Sequence, residues 1–116
     1  MLRLNHVALT VSNREKSAGF YASFFEMTDR VHDDDHLLIL ASASGSLLAL
    51  SEGPVPAPPP RTSHFGFEAK SAAAVLRLRE AFRKAGVREA EWQESGPMRV
   101  QVFDPDGYRV EVFTWD

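Results

Sequence analysis

The sequence predicts an α+β fold made of two copies of a strand–helix–three-strand (βαβββ) unit. The order of apolar and turn-forming segments in the first half of the chain recurs in the second half. Residues 5–9 match residues 63–67, and residues 45–50 match residues 107–112. An internal repeat of this length indicates one structural unit used twice.

A proline-rich stretch, residues 53–62, separates the two copies. Five of its ten residues are proline, which fits neither a sheet interior nor a helix. We expect a semi-rigid, extended spacer there. The sequence therefore predicts a single domain over 1–116, with module one at 1–52, the linker at 53–62 and module two at 63–116.

Module one begins with a predicted strand over residues 4–11. Ser12 stands three residues before Glu15, the spacing of a capping box, and we expect it to open a helix that runs to about Phe25. The buried face of this helix is predicted from helical spacing to hold Ala18, Tyr21, Phe24 and Phe25. Three short strands should follow, near 27–31, 36–41 and 46–50, with turns between them.

Module two repeats this order with a strand over residues 64–69. Ser71 is a candidate cap for a helix to Ala85, and Gly86 should end it. The predicted buried stripe of the helix is Val75, Leu78, Phe82 and Ala85. Strands are expected over 88–93, 98–103 and 108–114, with a turn at 104–107.

The amino-acid composition and net charge exclude several classes of function. The chain has 116 residues, 44% hydrophobic and 25% charged, and a formal net charge of −3. Nucleic acids and anionic membranes call for a concentrated basic surface, so neither is an expected partner. No apolar run approaches the ~20 residues of a membrane span, and the first residues lack a signal-peptide layout. The chain has no cysteine, which excludes thiolate ligands and disulfides and predicts a cytoplasmic location.

Two histidines occupy equivalent positions in the repeat, His6 in the first strand and His64 in the fifth. Strand alternation places each on the face opposite the aliphatic residues that pack under the helix. The same alternation places Glu111, in the last strand, on the matching face. Two imidazoles and a carboxylate form the ligand set of a divalent-metal site with positions left for substrate. The alternative is ordinary structural or solvated side chains.

Four motifs resemble the vicinal oxygen chelate superfamily, which includes glyoxalases, fosfomycin-resistance enzymes, extradiol dioxygenases and bleomycin-binding proteins. The motifs are residues 4–9, Phe20 with Tyr21, residues 63–67 and, most specific, residues 104–111. The resemblance implies paired βαβββ modules forming an open, cupped mixed-sheet barrel with the helices outside. It also implies metal ligands on the first and last strands of the modules, here His6, His64 and Glu111.

The sequence departs from the glyoxalase pattern at one ligand position. Ala49 stands where those enzymes hold a glutamate or glutamine, and Glu52 lies three residues away on the other face. The usual base for proton transfer is therefore missing. Fosfomycin-modifying and extradiol-cleaving members use a three-ligand site, but Ala8 stands where the former carry threonine. The exact reaction and the catalytic residues stay unassigned.

Several side chains are expected beside the metal on the same face. Arg99 or Arg109 is suited to hold a carboxylate or phosphonate through its guanidinium fork. The full set of predicted substrate-binding residues is Thr10, Arg99, Gln101, Phe103, Arg109 and Phe113. The segment from His32 to His36 resembles a second metal cluster, but we interpret it as a solvated hairpin turn.

These observations predict a metalloenzyme, of lyase, dioxygenase or transferase type, that binds one divalent ion (Fe, Mn, Ni or Zn) and a small substrate with adjacent oxygens. The alternative is a metal-free protein that binds or sequesters a small molecule, as bleomycin-binding relatives do. A homodimer with composite sites is expected, because ten spacer residues span up to ~31 Å in polyproline conformation and reach a partner chain.

Overall fold

The structure, a computed structural model that describes residues 1–115, divides into two compact units, Met1–Ala57 and Pro58–Asp116. The first unit contains β1 (His6–Val11), α1 (Arg14–Phe25), β2 (Asp29–Asp33), β3 (Leu38–Ala41) and β4 (Leu47–Glu52). The second contains β5 (Phe65–Glu68), α2 (Ala72–Lys84), β6 (Glu89–Gln93), β7 (Met98–Phe103) and β8 (Arg109–Thr114). The boundary between the units falls inside the proline-rich stretch, and the finer division at 52 and 63 stays a prediction.

Each unit has one four-stranded mixed sheet with the same topology. The strand orders are β1-β4-β3-β2 and β5-β8-β7-β6. The first strand of each unit pairs in parallel with the last, and the other pairs are antiparallel. The predicted α+β fold and the repeated βαβββ order are confirmed. No helix within residues 1–115 has the length and apolar character needed to cross a membrane.

The core of each unit lies between its helix and one face of its sheet. In the first unit α1 packs on β4, and the buried apolar side chains include Val11, Tyr21 and Leu50. In the second unit α2 packs on β7 and β8. There the alternate residues Val100, Val102, Val110 and Val112 are buried with Val75 and Phe82 of the helix. Their neighbours in β7 and β8, including Gln101 and Glu111, therefore lie on the opposite face.

The structure corrects the sequence interpretation at the start of α1 and at the end of α2. Asn13, and not Ser12, caps α1, since its Oδ1 accepts a hydrogen bond from the Lys16 N–H at 2.9 Å. Both residue types are good caps, and Asn13 has the extended backbone (φ −150°, ψ 107°) typical of the residue before the first turn. Ala85 is exposed rather than buried, because α2 ends at Lys84 and Ala85 is already its C-cap. Ser71 caps α2 as predicted, accepting from the Ala74 N–H.

The turn at 104–107 fixes how β7 meets β8. Asp104 Oδ1 accepts hydrogen bonds from the backbone N–H groups of Asp106 and Tyr108, both at 2.9 Å. Gly107 has a φ of 90°, a backbone conformation that residues other than glycine rarely adopt. The resulting register places Gln101 opposite Glu111 and Arg99 opposite Phe113.

The acidic segment between β2 and β3 is an exposed turn, as predicted. Asp34 Oδ1 accepts from the backbone N–H groups of His36 and Leu37, and its Oδ2 lies 2.8 Å from His32 Nε2. These bonds, of which the His36 N–H contributes most, lower the pKa of Asp34 to about 2. The Asp34 carboxylate thus stabilises the turn through hydrogen bonds to His32, His36 and Leu37.

Replacing Asn13 by alanine is expected to lower the free energy of unfolding by about 1 kcal/mol, because α1 loses its cap. Urea titration followed by circular dichroism measures the change. Asn13→Asp keeps an acceptor and adds a negative charge at a helix N-terminus, so it should retain the stability of the wild type. Equal stability of wild type and Asn13→Ala would contradict the assignment of the cap.

Asp34 should make the free energy of unfolding depend on pH. Its folded pKa, about 2, lies below its ordinary value of 3.8, so its contribution is present above about pH 4 and is lost as the pH falls toward 2. Asp34→Asn retains an oxygen acceptor but not the charge. We expect wild type to be more stable than Asp34→Asn at pH 6 and the difference to shrink between about pH 4 and pH 2. Urea midpoints across this range test the sign, and a difference independent of pH would contradict it.

Candidate metal centre

Glu111 lies near the middle of β8, on the face opposite α2. In register it stands between Gly66 of β5 and Gln101 of β7, and it is buried. A Cβ at position 66 would lie 3.4 Å from Glu111 Cβ and 3.5 Å from its Oε2. The glycine therefore leaves open space beside the carboxylate that a larger residue would occupy.

His64 directly precedes β5 and points its imidazole toward Glu111. Its Nδ1 lies 3.0 Å from the Thr62 carbonyl oxygen, which only accepts hydrogen bonds, so Nδ1 carries the proton. In the neutral ring Nε2 then has a free lone pair, and it lies 3.7 Å from Glu111 Oε1. Two acceptors that face each other repel unless a proton or a metal cation lies between them. A histidine whose second nitrogen donates to a carbonyl is also the usual form of a metal-ligating histidine.

Two donors hold the Glu111 carboxylate by one of its oxygens. Oε1 accepts from Arg99 Nη1 at 3.2 Å and from Gln101 Nε2 at 3.1 Å. Within residues 1–115, no hydrogen bond is made to Oε2. The carboxylate is therefore fixed in orientation with one oxygen available to a further group.

Glu91 of β6 is a site residue that the sequence analysis missed. Its carboxylate lies 3.1 Å from Arg99 Nη2, 3.4 Å from Arg61 Nε and 3.8 Å from Arg109 Nη1. The Arg99 hydrogen bond and the charges of the three arginines hold the pKa of Glu91 below its ordinary value. Glu91 is thus ionised at neutral pH and is poorly suited to act as a general base. Simple alternation along β6 does not reveal its face, because the pairing of β6 with β7 shifts register between Glu89 and Glu91.

The predicted substrate-binding residues of module two lie on one face of its sheet. Arg99 bridges Glu91 and Glu111, and Gln101 contacts Glu111. The guanidinium of Arg109 lies over the ring of Phe103, 4.9 Å from its centroid. Phe113 stands opposite Arg99 in register. The face therefore combines a carboxylate, guanidinium groups and aromatic rings, as the alternation predicts.

His6 and Thr10 belong to the first unit. His6 begins β1, is exposed, and its Nδ1 lies 3.0 Å from Asn5 Oδ1, so its Nε2 is likewise the nitrogen left for another partner. Thr10 stands opposite Ser51 in register. Ala8 stands opposite Ala49, the pair that corresponds to Gly66 and Glu111 in the second unit. Module one thus supplies an imidazole but no carboxylate at this position.

The chemistry of His64 and Glu111 fits a divalent cation, because the Thr62 carbonyl occupies Nδ1 of the imidazole and the carboxylate has one oxygen available. The structure brings His64, Glu111, Arg99 and Gln101 together. Within residues 1–115 of a single chain, no group of three or more histidine, aspartate or glutamate side chains is arranged to hold a metal ion. The three-ligand site of His6, His64 and Glu111 stays a prediction.

Comparisons with known proteins give one family and many related structures. The family model described as the Glyoxalase/Bleomycin resistance protein/Dioxygenase superfamily matches residues 3–112. No curated protein matches the chain in sequence. A possible glyoxalase from Bacillus cereus has a TM-score of 0.82 and 21% identity, with 97% of this chain and 98% of that chain covered.

Two further solved structures are similar to the chain. Lactoylglutathione lyase from Agrobacterium tumefaciens has a TM-score of 0.76 at 21% identity, with 97% of this chain and 92% of that chain covered. The fosfomycin resistance protein FosX from Listeria monocytogenes, complexed with Mn(II) and sulfate ion, has a TM-score of 0.81 at 16% identity, with coverage of 98% and 93%. At these identities the likenesses show a shared fold.

Proposed function

Because the chain belongs to the glyoxalase/bleomycin resistance protein/dioxygenase superfamily, we propose that it is a divalent-metal enzyme acting on a small substrate with adjacent oxygen atoms. His6, His64 and Glu111 would hold the ion. The observation that carries the proposal is the His64–Glu111 pair, in which Nε2 lies 3.7 Å from the carboxylate while Nδ1 is occupied by the Thr62 carbonyl. The reaction, of lyase, dioxygenase or transferase type, is left open.

The ion, Fe, Mn, Ni or Zn, would supply Lewis-acid stabilisation of an oxyanion or enolate, or oxygen activation in the case of Fe(II). The Mn(II) complex of FosX supports a divalent transition-metal ion. The chain's own residues orient the ligands. Thr62 and Asn5 accept from the two Nδ1–H groups, and Arg99 with Gln101 restrains Glu111.

The substrate-contacting residues follow from the same face. Arg99 and Arg109 offer guanidinium forks for a carboxylate or phosphonate, and Phe103 and Phe113 offer apolar contact. Thr10, from module one, is proposed as a further polar contact. No side chain is assigned as the general base. The absence of cysteine supports a cytoplasmic location.

The second candidate function is a metal-free protein that binds or sequesters a small molecule. The superfamily whose model matches the chain also includes bleomycin resistance proteins, which supports keeping this candidate. Metal analysis of the purified protein separates the two candidates. Turnover of 1,2-diols, epoxides or 2-oxo-aldehydes by the metal-loaded protein separates an enzyme from a binding protein.

We also propose that the protein is a homodimer with composite sites. His6 belongs to the first unit, whereas His64 and Glu111 belong to the second. A C2 pairing would let each site take His6 from one chain and the other two ligands from its partner, with both sites equivalent. The proline-rich stretch at 53–62 is long enough for this exchange, with a reach of up to ~31 Å.

The wild-type protein is expected to bind about one Mn(II) per chain, in line with one three-ligand site. His6→Ala, His64→Ala and Glu111→Ala should each weaken binding more than about tenfold, because three protein ligands leave no redundancy. Equilibrium dialysis with elemental analysis measures the affinity.

The matched control is the double variant His32→Ala with His36→Ala, which removes the two histidines of the exposed turn. It should leave Mn(II) affinity unchanged. Loss of affinity in this double variant, or none in the three ligand variants, would show that the ion is held elsewhere.

Mixing His6→Ala chains with Glu111→Ala chains should restore part of the metal binding. A heterodimer with composite sites has one intact site and one doubly damaged site, so an equal mixture should regain about a quarter of the wild-type sites. Elemental analysis after subunit exchange measures the recovery. A monomer by light scattering at micromolar concentration, or no recovery after verified exchange, would refute the composite arrangement without touching the ligand assignment.

A further inference from the structure

Gln101 has a buried amide with only one of its two ends satisfied. The residue lies in the middle of β7, between Glu111 and Glu91 in register, and is 2% exposed. Its Nε2 donates to Glu111 Oε1 at 3.1 Å. Its Oε1 is buried and has no hydrogen-bond partner within residues 1–115.

The orientation of this amide is fixed by Glu111. Turning the amide over would place its oxygen against the carboxylate, so that two acceptors would face each other. The nitrogen therefore stays on Glu111, and the oxygen stays the end without a donor. A buried acceptor left unpaired is destabilising, and native proteins satisfy nearly all such groups.

Within residues 1–115, the hydrogen bonds of the neighbouring donors go to other acceptors. The guanidinium of Arg99 donates to Glu91, Glu111 and Gln93. The side-chain amide of Gln93 donates to the Pro97 carbonyl at 2.6 Å. Arg99 has further N–H groups, but none of them is hydrogen-bonded to Gln101 Oε1, so a donor for this oxygen is left to a molecule that enters the site.

We propose that Gln101 Oε1 accepts a hydrogen bond from a hydroxyl group of the bound small molecule, and that Gln101 is a specificity-determining residue. The inference rests on the proposed function, since it places the ligand beside Glu111. Because the nitrogen of the same amide touches Glu111, the hydroxyl lies within a few bonds of the ligand atom bound next to that carboxylate. The ligand class is therefore a molecule whose hydroxyl neighbours its chelating oxygen, such as a 2-hydroxy acid.

The test compares glycolate with methoxyacetate, which keeps all three oxygens but has no hydroxyl proton to donate. Binding of each to the protein saturated with Mn(II) is measured by isothermal titration calorimetry. The wild type should bind glycolate at least about tenfold more tightly, the factor that one hydrogen bond contributes. Gln101→Met, which has a similar shape and no acceptor oxygen, should bring the ratio near one.

Gln93→Met is the matched control, because it makes the same exchange in the adjacent strand at an amide whose two ends are both bonded. It should keep the wild-type ratio. Circular dichroism checks the fold of each variant. If Gln101→Met does not fold, Gln101→Asn replaces it, because its shorter side chain moves the amide oxygen back by one methylene. The asparagine variant should also lower the ratio.

A wild-type ratio near one, no binding of either probe, or a preference that survives in the Gln101 variants would overturn the proposal. Failure of the proposal about Gln101 can be distinguished from failure of the proposed metal site. If the wild type binds no Mn(II), the proposed function fails, and the same ratio is measured on the metal-free protein. If Mn(II) binds but the ratio is near one, only the inference about Gln101 fails.

Discussion

The parallel pairing of β5 with β8 is the constraint on which the rest of the site depends. His64 and Gly66 stand at the start of module two and Glu111 near its end, so only a crossover through α2 and two further strands brings them side by side. The register then sets Glu111 against the glycine and within 3.7 Å of His64 Nε2. A slip of one residue would turn the carboxylate to the opposite face, where the valines pack under α2.

The two modules use this pairing unequally. In module one the corresponding positions are Ala8 and Ala49, so the sheet offers His6 without an adjacent acid. Glu52 does not replace that acid, because it pairs with Val11 at the end of β4 and is exposed. At these repeat positions, one chain therefore has two equivalent imidazoles and a single carboxylate. The proposed three-ligand set would leave more coordination positions for a chelating substrate than a four-ligand set.

The sequence was sufficient to predict the fold and the faces of the strands, because the repeat and the two-residue period are local patterns. The sequence was less informative where adjacent residues are equally suited to one structural role. Ser12 and Asn13 are both good caps, and only the path of the backbone selects Asn13. Glu91 was missed because the register shifts between Glu89 and Glu91, so simple alternation does not give its face. The bond from Gln101 to Glu111 depends on cross-strand register, which the turn at Gly107 fixes and no local pattern reveals.

The charges around Glu111 explain how an arginine can stand beside a carboxylate proposed to bind a cation. Arg99 alone would neutralise Glu111 and repel a positive ion. Glu91 shares the same guanidinium, so the positive charge of Arg99 is divided between two carboxylates and does not act on Glu111 alone. Glu91 also draws in Arg61 and Arg109, at 3.4 and 3.8 Å. Those guanidiniums have more N–H donors than one carboxylate accepts, and this surplus suits an anionic ligand group. Glu91, in the edge strand β6, thus shares Arg99 with Glu111 and holds Arg61 and Arg109 within 4 Å of its own carboxylate, so that guanidinium donors collect beside the proposed site.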